Sequence, residues 1–222
     1  MMKRVVITLL ALTMVWAMVE AQTRLRNPEI YFGVNGGVIA STTTFNPTVE
    51  NMTPFIKSVM LSGTGGFIFQ YNGQKYCGVQ VEANYMPKGW REGGYQRTLH
   101  YVELPMMMHL YFGSPNCRFI VNAGPQIGVC VYDDTKQAEG NAMPQRDKIT
   151  NIFDWGIVGG LGINFRTVNC GAYQLEARFN YSFGNLYSDR ATDYFAKSNT
   201  MALSINLAWM WEFKKKDNKK DK

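Results

Sequence analysis

Six charged residues lie at alternating positions within otherwise apolar segments, where ionised side chains are usually excluded. They are Glu82, Glu103, Arg118, Asp154, Glu176 and Arg178. An unpaired charge removed from water is costly, so these residues are expected to pair with one another. We predict a single Glu–Arg network with its centre at Glu103, Glu176 and Arg178. A path for protons or ions along the same side chains is the functional alternative.

The sequence contains two histidines, His100 and His109, which limits the hydrolytic chemistry that it can support. A lipid-modifying hydrolase needs a nucleophile, a histidine base and a third group that orients the base. The sequence spacing assigns no serine nucleophile and no acidic residue to either histidine. A lipid-modifying enzyme that uses a loop serine such as Ser188 stays open as an alternative. No nucleophile-elbow, phosphate-loop or zinc-protease motif occurs. The sequence therefore predicts no enzymatic activity, no catalytic or metal site and no cofactor.

The spacing of the four cysteines matches no zinc-binding motif. They are Cys77, Cys117, Cys130 and Cys170. Cys117 opens one predicted strand and Cys170 lies just past the base of the neighbouring strand, so a Cys117–Cys170 disulfide is geometrically feasible. Export places both thiols in a compartment where disulfides persist. Without this bridge, all four cysteines are expected to be small apolar side chains.

The elements that position these residues are strands, because apolar and polar residues alternate with a period of two. In the clearest case, Leu175 and Phe179 share one face while Glu176 and Arg178 share the other. Many of the segments are long enough for a tilted strand to cross a bilayer, which takes about 9–11 residues. The eight predicted strands are Ile30–Ala40, Val59–Tyr71, Tyr76–Met86, Thr98–Phe112, Cys117–Val131, Ile152–Arg166, Ala172–Phe183 and Thr200–Phe213.

The connections between these strands alternate between long and short. The long connections are 41–58, 87–97, 132–151 and 184–199, and the short ones are 72–75, 113–116 and 167–171. The short connections carry Asn-Gly and similar hairpin-turn sequences. Outer-membrane barrels have short periplasmic turns, longer external loops and aromatic girdles near the strand ends. We therefore predict an all-β fold in the cell outer membrane: an eight-stranded antiparallel up-and-down transmembrane β-barrel with short periplasmic turns and long extracellular loops.

Both ends of the chain are expected to lie outside the barrel. Residues 1–21 combine Lys3 and Arg4 with an apolar run that ends at Ala21, the pattern of a cleaved signal peptide. Residues 22–213 form the predicted barrel domain. Residues 214–222 contain six lysines and two aspartates, so this predicted periplasmic tail carries +4 of the net charge of +6. Since the rest of the chain is nearly neutral, no nucleic-acid-binding surface is expected.

An eight-stranded barrel encloses a lumen that side chains just fill. The alternation places the six charged residues, His109 and Pro105 in this lumen. Pro105 donates no ladder hydrogen bond, so it should mark a bulge or a break in strand pairing. On the outside, the barrel should contact outer-membrane lipid, and loops 41–58 and 132–151 are the expected sites for protein partners. We expect a monomer in the membrane.

Four motifs are similar to those of a known family. They are the glycine-rich opening from Tyr31 to Gly37, the Glu-Leu-Pro strand from Tyr101 to Met107, the segment from Asp154 to Gly162, and the closing Trp211-Glu212-Phe213. These motifs resemble the Bacteroidota PorT-like family, an outer membrane protein β-barrel domain. The resemblance implies an eight-stranded barrel in the outer membrane. It also implies a role as an accessory of protein secretion, because the name-giving member takes part in type IX secretion and gliding.

Taken together, the sequence predicts a non-enzymatic outer-membrane barrel with a filled lumen and a structural or surface-loop binding role. The secretion role comes from the family resemblance alone. Three alternatives remain open at this point: a narrow, porin-like diffusion pore, a lipid-modifying outer-membrane enzyme, and a soluble β-barrel carrier.

Overall fold

The computed structural model describes residues 24–47, 55–56, 58–92, 95–137, 152–167, 170–184 and 195–213. The predicted signal peptide and the lysine-rich tail lie outside the described residues. Among the described residues, no helix is long and apolar enough to span a membrane.

The described residues form nine antiparallel strands, of which eight are long. They are β1 (Arg24–Pro47), β2 (Phe55–Ile56), β3 (Met60–Gln74), β4 (Cys77–Glu92), β5 (Tyr95–Gly113), β6 (Cys117–Gln137), β7 (Phe153–Thr167), β8 (Gly171–Ser182) and β9 (Phe195–Glu212). Each long strand pairs with the next one along the chain, and β1 pairs with β9 to close the sheet. The short β2 pairs with the end of β1, at Thr44 and Phe45. The predicted eight-stranded barrel is confirmed.

The barrel wall is polar inside and apolar outside, the reverse of a water-soluble barrel. In β8, Gln174, Glu176 and Arg178 are buried in the lumen, whereas Leu175 and Phe179 between them are exposed on the outer face. Because the side chains of a strand alternate in direction, this pattern fixes which face of each strand points into the lumen, and it excludes a one-residue slip in pairing. An apolar outer face is the pattern of a barrel surrounded by lipid.

The predicted long connection at 87–97 is wrong. Strands β4 and β5 continue towards each other up to Glu92 and Tyr95, so two residues separate them. Pro87, Lys88 and Gly89 interrupt the apolar pattern and have a loop-like composition, yet the ladder passes through them, with Lys88 opposite Leu99. The other three long connections also begin or end in strand, since β1, β6 and β9 extend past their predicted ends.

Pro105 lies at a break in pairing, as predicted. The β4–β5 ladder stops between the Val81–Met106 and Asn84–Glu103 pairs and resumes without a change of register. The Pro105 side chain is buried on the lumen side of the wall. A register shift occurs elsewhere in β5, between His100 and Tyr101, where β6 contains one additional residue.

Candidate functional site

Among the described residues, ion pairs form three layers in the lumen, stacked along the barrel axis, apart from one further pair between β5 and β6, Arg97–Asp133 at 2.6 Å. We name them by position. The turn layer is Glu29, Arg118, Arg166 and Glu212; the central layer is Glu82, Glu176 and Arg178; and the loop layer is Lys88, Glu103 and Asp154.

The central layer is built on a bidentate ion pair between Arg178 and Glu82, which spans the lumen. Arg178 Nη1 and Nη2 donate to Glu82 Oε2 and Oε1, each at 2.6 Å, and Nη2 also donates to Glu176 Oε2 at 2.8 Å. Strand β8, which carries Arg178, lies four strands from β4, which carries Glu82, in the eight-strand ring. The pair therefore connects opposite walls of the barrel.

Amide side chains complete the hydrogen bonding of the Glu82 carboxylate. Gln80 donates to Oε1 at 2.6 Å, and Asn84 and Asn35 donate to Oε2 at 2.7 and 3.0 Å. With the two bonds from Arg178, the two oxygens of Glu82 accept five hydrogen bonds. A buried carboxylate is tolerated when its charge is paired and its lone pairs are satisfied, and Glu82 meets both conditions.

A glycine makes room for the central layer. A Cβ atom added at Gly160 would lie 2.2 Å from Oε1 of Glu176 and 3.0 Å from Cγ of Arg178. Any larger residue there would displace the Glu176 carboxylate. Gly160, within the glycine-rich segment of β7, thus leaves room for two lumen side chains.

The loop layer contains one lysine and two acids. Lys88 Nζ lies 2.5 Å from Glu103 Oε1 and 3.9 Å from Asp154 Oδ2. The hydroxyl of Ser182 donates to the same Asp154 oxygen at 2.7 Å. Lys88 comes from β4 and Asp154 from β7, so this layer also connects separate parts of the wall. The side chains of Lys88 and Glu103 are each 2% exposed.

The turn layer lies at the periplasmic mouth and is partly exposed. Arg118 donates to both oxygens of Glu29, at 2.7 and 3.0 Å, while Arg166 donates to Glu29 at 2.9 Å and to Glu212 at 2.5 Å. Glu29 lies one residue before the first predicted membrane-crossing strand, which begins at Ile30. Burial alone would raise the pKa of Glu29, but the hydrogen bonds and charge of Arg118 and the charge of Arg166 outweigh it and hold the pKa at about 2.

Between the turn and central layers, His109 is enclosed by amide side chains. Gln70 Nε2 donates to His109 Nε2 at 3.0 Å, and His109 Nδ1 donates to Asn122 Oδ1 at 2.7 Å. His109 therefore points into the lumen, as predicted. His100 lies on the outer face, where its ring stacks on Tyr85 and its Nδ1 lies 2.5 Å from the Tyr85 hydroxyl.

The six predicted network residues are divided among the three layers instead of forming one network. Glu82, Glu176 and Arg178 meet in the central layer, Glu103 and Asp154 share Lys88 in the loop layer, and Arg118 belongs to the turn layer. The sequence reasoning missed Lys88, which it placed in a loop, and Glu29, which lies one residue before a predicted strand. Lys88 is in phase with Glu82 and Asn84, so the alternation could have identified it.

The predicted Cys117–Cys170 disulfide is not formed, and all four cysteines are free. Cys117 pairs with Phe165 inside the β6–β7 ladder. Cys170 lies in the turn before β8 and is exposed, and its backbone carbonyl accepts a hydrogen bond from Trp209 of β9 at 2.8 Å. Among the described residues, no group of three or more His, Cys, Asp or Glu side chains could hold a metal ion.

The outer face has an aromatic band near each end of the barrel. One band, near the turns, includes Phe32, Phe112, Phe165, Trp209 and Trp211, and the other, near the loops, includes Tyr85, Tyr132, Phe153, Trp155 and Phe183. Rings contact one another within each band, as in Trp209–Trp211 at 4.2 Å and Trp155–Phe183 at 5.0 Å between centroids. Two aromatic girdles flanking an apolar band are typical of barrels that cross a membrane.

Comparisons with known proteins agree with this geometry. The sequence model of the family described as "Outer membrane protein beta-barrel domain" matches residues 20–188. No curated protein matches the chain. Among solved structures, the outer membrane protein OprG from Pseudomonas aeruginosa superposes with a TM-score of 0.51 at 11% identity, covering 85% of this chain and 98% of OprG. Ail, the attachment invasion locus protein of Yersinia pestis, has a TM-score of 0.42 at 8% identity, covering 82% of this chain and 99% of Ail.

Proposed function

The chain belongs to the outer membrane protein β-barrel domain family, and from this premise we propose that it is a non-enzymatic barrel with a closed lumen. It acts through its wall and its external loops, as a structural or surface-binding component of the outer membrane. A diffusion pore, the main alternative, needs a continuous aqueous path along the lumen, where the ion-paired side chains of the three layers lie.

The observation that carries this proposal is the ion pair between Arg178 and Glu82, which crosses the lumen at its centre. A solute could pass only if Arg178 separated from Glu82 and Glu176. Breaking a buried ion pair and leaving one partner uncompensated costs about 3–5 kcal/mol. The loop layer would have to open as well, since Lys88 and Glu103 are also buried.

Solute entry into proteoliposomes tests the closed lumen. We expect liposomes that contain the purified barrel to take up a small neutral sugar no faster than protein-free liposomes. A porin reconstituted at the same protein-to-lipid ratio is the positive control. Sugar entry that increases with the amount of barrel would contradict the proposal and favour the diffusion pore.

The surroundings of the two histidines support a non-enzymatic role. A general base needs a free lone pair close to a nucleophile. His109 accepts from Gln70 and donates to Asn122, and His100 is directed at the Tyr85 hydroxyl. Overproduction of the barrel should therefore leave the mass spectra of lipid A and phospholipids unchanged, whereas a new acylated or deacylated species would favour the lipid-modifying enzyme.

Binding at the loop end is supported by the continuation of the strands past the outer aromatic band. The β4–β5 hairpin extends to Glu92 and Tyr95, well beyond Tyr85, and β1 extends to Pro47. A rigid base of this kind presents loops to partners, and loops 41–58 and 132–151 are the proposed contact segments. A closed ladder leaves no unpaired edge between β1 and β9, which supports a monomer.

A role in protein secretion is supported by the resemblance of the Glu-Leu-Pro strand and the glycine-rich segments to PorT-like proteins. We propose that loss of the protein reduces the surface and secreted cargo of the cell. The test is the proteome of a deletion strain, complemented with the wild type or with a variant in which a Gly-Ser linker replaces residues 138–151. If both the wild type and the linker variant restore the surface and secreted cargo, residues 138–151 are not needed for the secretion role. If deletion leaves the proteome unchanged, the protein has no secretion role.

A further inference from the structure

The two ends of the barrel carry different charges. The turn end holds the short periplasmic connections, the start of β1 and the end of β9, and its segments contain eleven basic and four acidic residues: 24–29, 72–76, 113–118, 166–171 and 212–222. The loop end holds the longer connections and contains nine basic and ten acidic residues: 41–58, 87–104, 132–154 and 184–199. The turn end therefore has a net charge of +7, whereas the loop end has a net charge of −1.

The excess positive charge of the turn end is not neutralised by the acidic residues that the structure describes there. These acids are Glu29 and Glu212, and the two arginines of the turn layer pair with them at 2.5–2.9 Å, so this layer has no net charge. The excess belongs to a set that we call the cationic rim: Arg24, Arg26, Lys75 and the six lysines of residues 214–222. Because residues 214–222 also contain two aspartates, the rim accounts for the whole +7.

The rim lies at the level of the aromatic band near the turns. Arg24 begins β1 and pairs with Gln74, the last residue of β3, so it lies beside the first turn. In that turn Lys75 is exposed, and its Nζ is 5.1 Å from the ring centroid of Tyr76, which stacks on Phe112 of the band. Since aromatic girdles mark the headgroup level of a membrane, Lys75 lies among lipid headgroups.

The last strand brings the tail to the same level. Phe213 is 61% exposed, its amide donates to the carbonyl of Ile30 at 2.8 Å, and it follows Trp209 and Trp211 of the same aromatic band. Lys214 is the next residue in the sequence. The first residue of the tail is therefore anchored at the membrane surface by the end of the β1–β9 ladder.

The reach of the tail selects its partner. Three residues span at most about 10 Å, so Lys214, Lys215 and Lys216 stay within about that distance of Phe213. This is close to the Debye length of about 8 Å at physiological ionic strength, within which charges act on one another. Clusters of about four to eight basic residues beside a membrane-crossing segment bind anionic lipid headgroups. A partner deeper in the periplasm would be screened from these three lysines.

We propose that the cationic rim binds the headgroups of anionic phospholipids in the periplasmic leaflet. It enriches these lipids around the turn end of the barrel and holds residues 214–222 at the membrane surface. The loop end has no such preference, because its charges nearly cancel. The attraction is electrostatic, so it weakens as the salt concentration rises.

Electron spin resonance of spin-labelled lipids tests the rim, because it compares how strongly different headgroups associate with a membrane protein. The full barrel is reconstituted in phosphatidylcholine vesicles with a trace of spin-labelled phosphatidylglycerol, which is anionic, or of spin-labelled phosphatidylcholine. Both leaflets have one composition, so the orientation of the barrel does not matter. The tail variant combines three changes: Lys214→Gln, Lys215→Gln and Lys216→Gln. The matched control removes the same charge from the loop end: Lys136→Gln, Lys148→Gln and Lys197→Gln.

At low salt we expect the wild type and the loop-end control to prefer phosphatidylglycerol over phosphatidylcholine by a factor of about two or more. The tail variant should lose most of this preference, and so should the wild type in about 0.5 M salt. Heat-modifiability on a gel verifies that each variant is folded. An equal preference in the wild type and the tail variant, or an equal loss in the loop-end control, would overturn the proposal. Sedimentation with isolated peptidoglycan that depends on the tail, without a lipid preference, would overturn it as well and assign the tail to the cell wall.

Discussion

In both the central layer and the loop layer one cation lies between two buried acidic side chains, but the two layers use different cations and hold them differently. In the central layer, Arg178 contacts both acids at 2.6–2.8 Å. In the loop layer, Lys88 contacts Glu103 at 2.5 Å, while Asp154 is 3.9 Å away and receives a hydrogen bond from Ser182 instead.

This difference follows from the shapes of the two cations. The planar guanidinium presents several donors in a fork that matches a carboxylate, whereas the ammonium is a compact charge on a flexible stem. Arg178 can therefore contact two acids at once, although Oε1 of Glu176 and Nε of Arg178 are buried without a hydrogen-bond partner. Lys88 lies close to one acid only. The central layer should be the more rigid of the two and the more sensitive to substitution.

The largest effect is expected from removal of the central cation. Arg178→Met leaves Glu82 and Glu176 buried without a counter-charge, so the free energy of unfolding should fall by about 3–5 kcal/mol. Urea unfolding of the barrel in lipid vesicles measures this loss. The triple variant that adds Glu82→Gln and Glu176→Gln should regain much of it, and a loss below about 1 kcal/mol in Arg178→Met would contradict the assignment of the central layer.

An intermediate effect is expected in the loop layer. Lys88→Met leaves Glu103 buried without its close counter-charge, while Ser182 still donates to Asp154, so the loss should lie at the low end of the same range, about 3 kcal/mol. The same unfolding assay compares it with Arg178→Met. Adding Glu103→Gln to Lys88→Met should recover part of the stability. If Lys88→Met proves more damaging than Arg178→Met, the ranking of the two layers is reversed.

The smallest effect is expected at the turn layer. Arg118→Ala leaves Glu29 paired with Arg166, and the side chains of this layer are 16–27% exposed, so water screens the remaining charge. The loss should be at most about 1 kcal/mol, in the range of exposed ion pairs. A loss as large as that of Lys88→Met would show that the turn layer is more strongly coupled to the rest of the lumen than its exposure indicates.

The strand pattern was predictable because lipid outside and polar side chains inside impose a period of two on each strand. This signal also identified Glu176 and Arg178, which lie in the cleanest alternating segment. What the pattern does not contain is the register between distant strands. Whether Arg178 meets Glu82 or Glu103 depends on how far the strands of the closed barrel are staggered.

Residues at the ends of strands were harder to place for a different reason. Lys88 follows a proline and precedes a glycine, a composition that favours loops, yet the β4–β5 ladder passes through all three residues. Glu29 lies just before the apolar pattern begins, so its pairing with Arg118 and Arg166 left no signal in the sequence.

Single-channel recording in planar bilayers tests the closure of the lumen most directly, because it detects the passage of single ions. For the wild-type barrel we predict no conductance steps above the bilayer background, and we predict small steps for a variant that combines Arg178→Ala with Lys88→Ala. Stable, ohmic conductance from the wild type would contradict the account, because it would require a continuous water path past the three ion-pair layers.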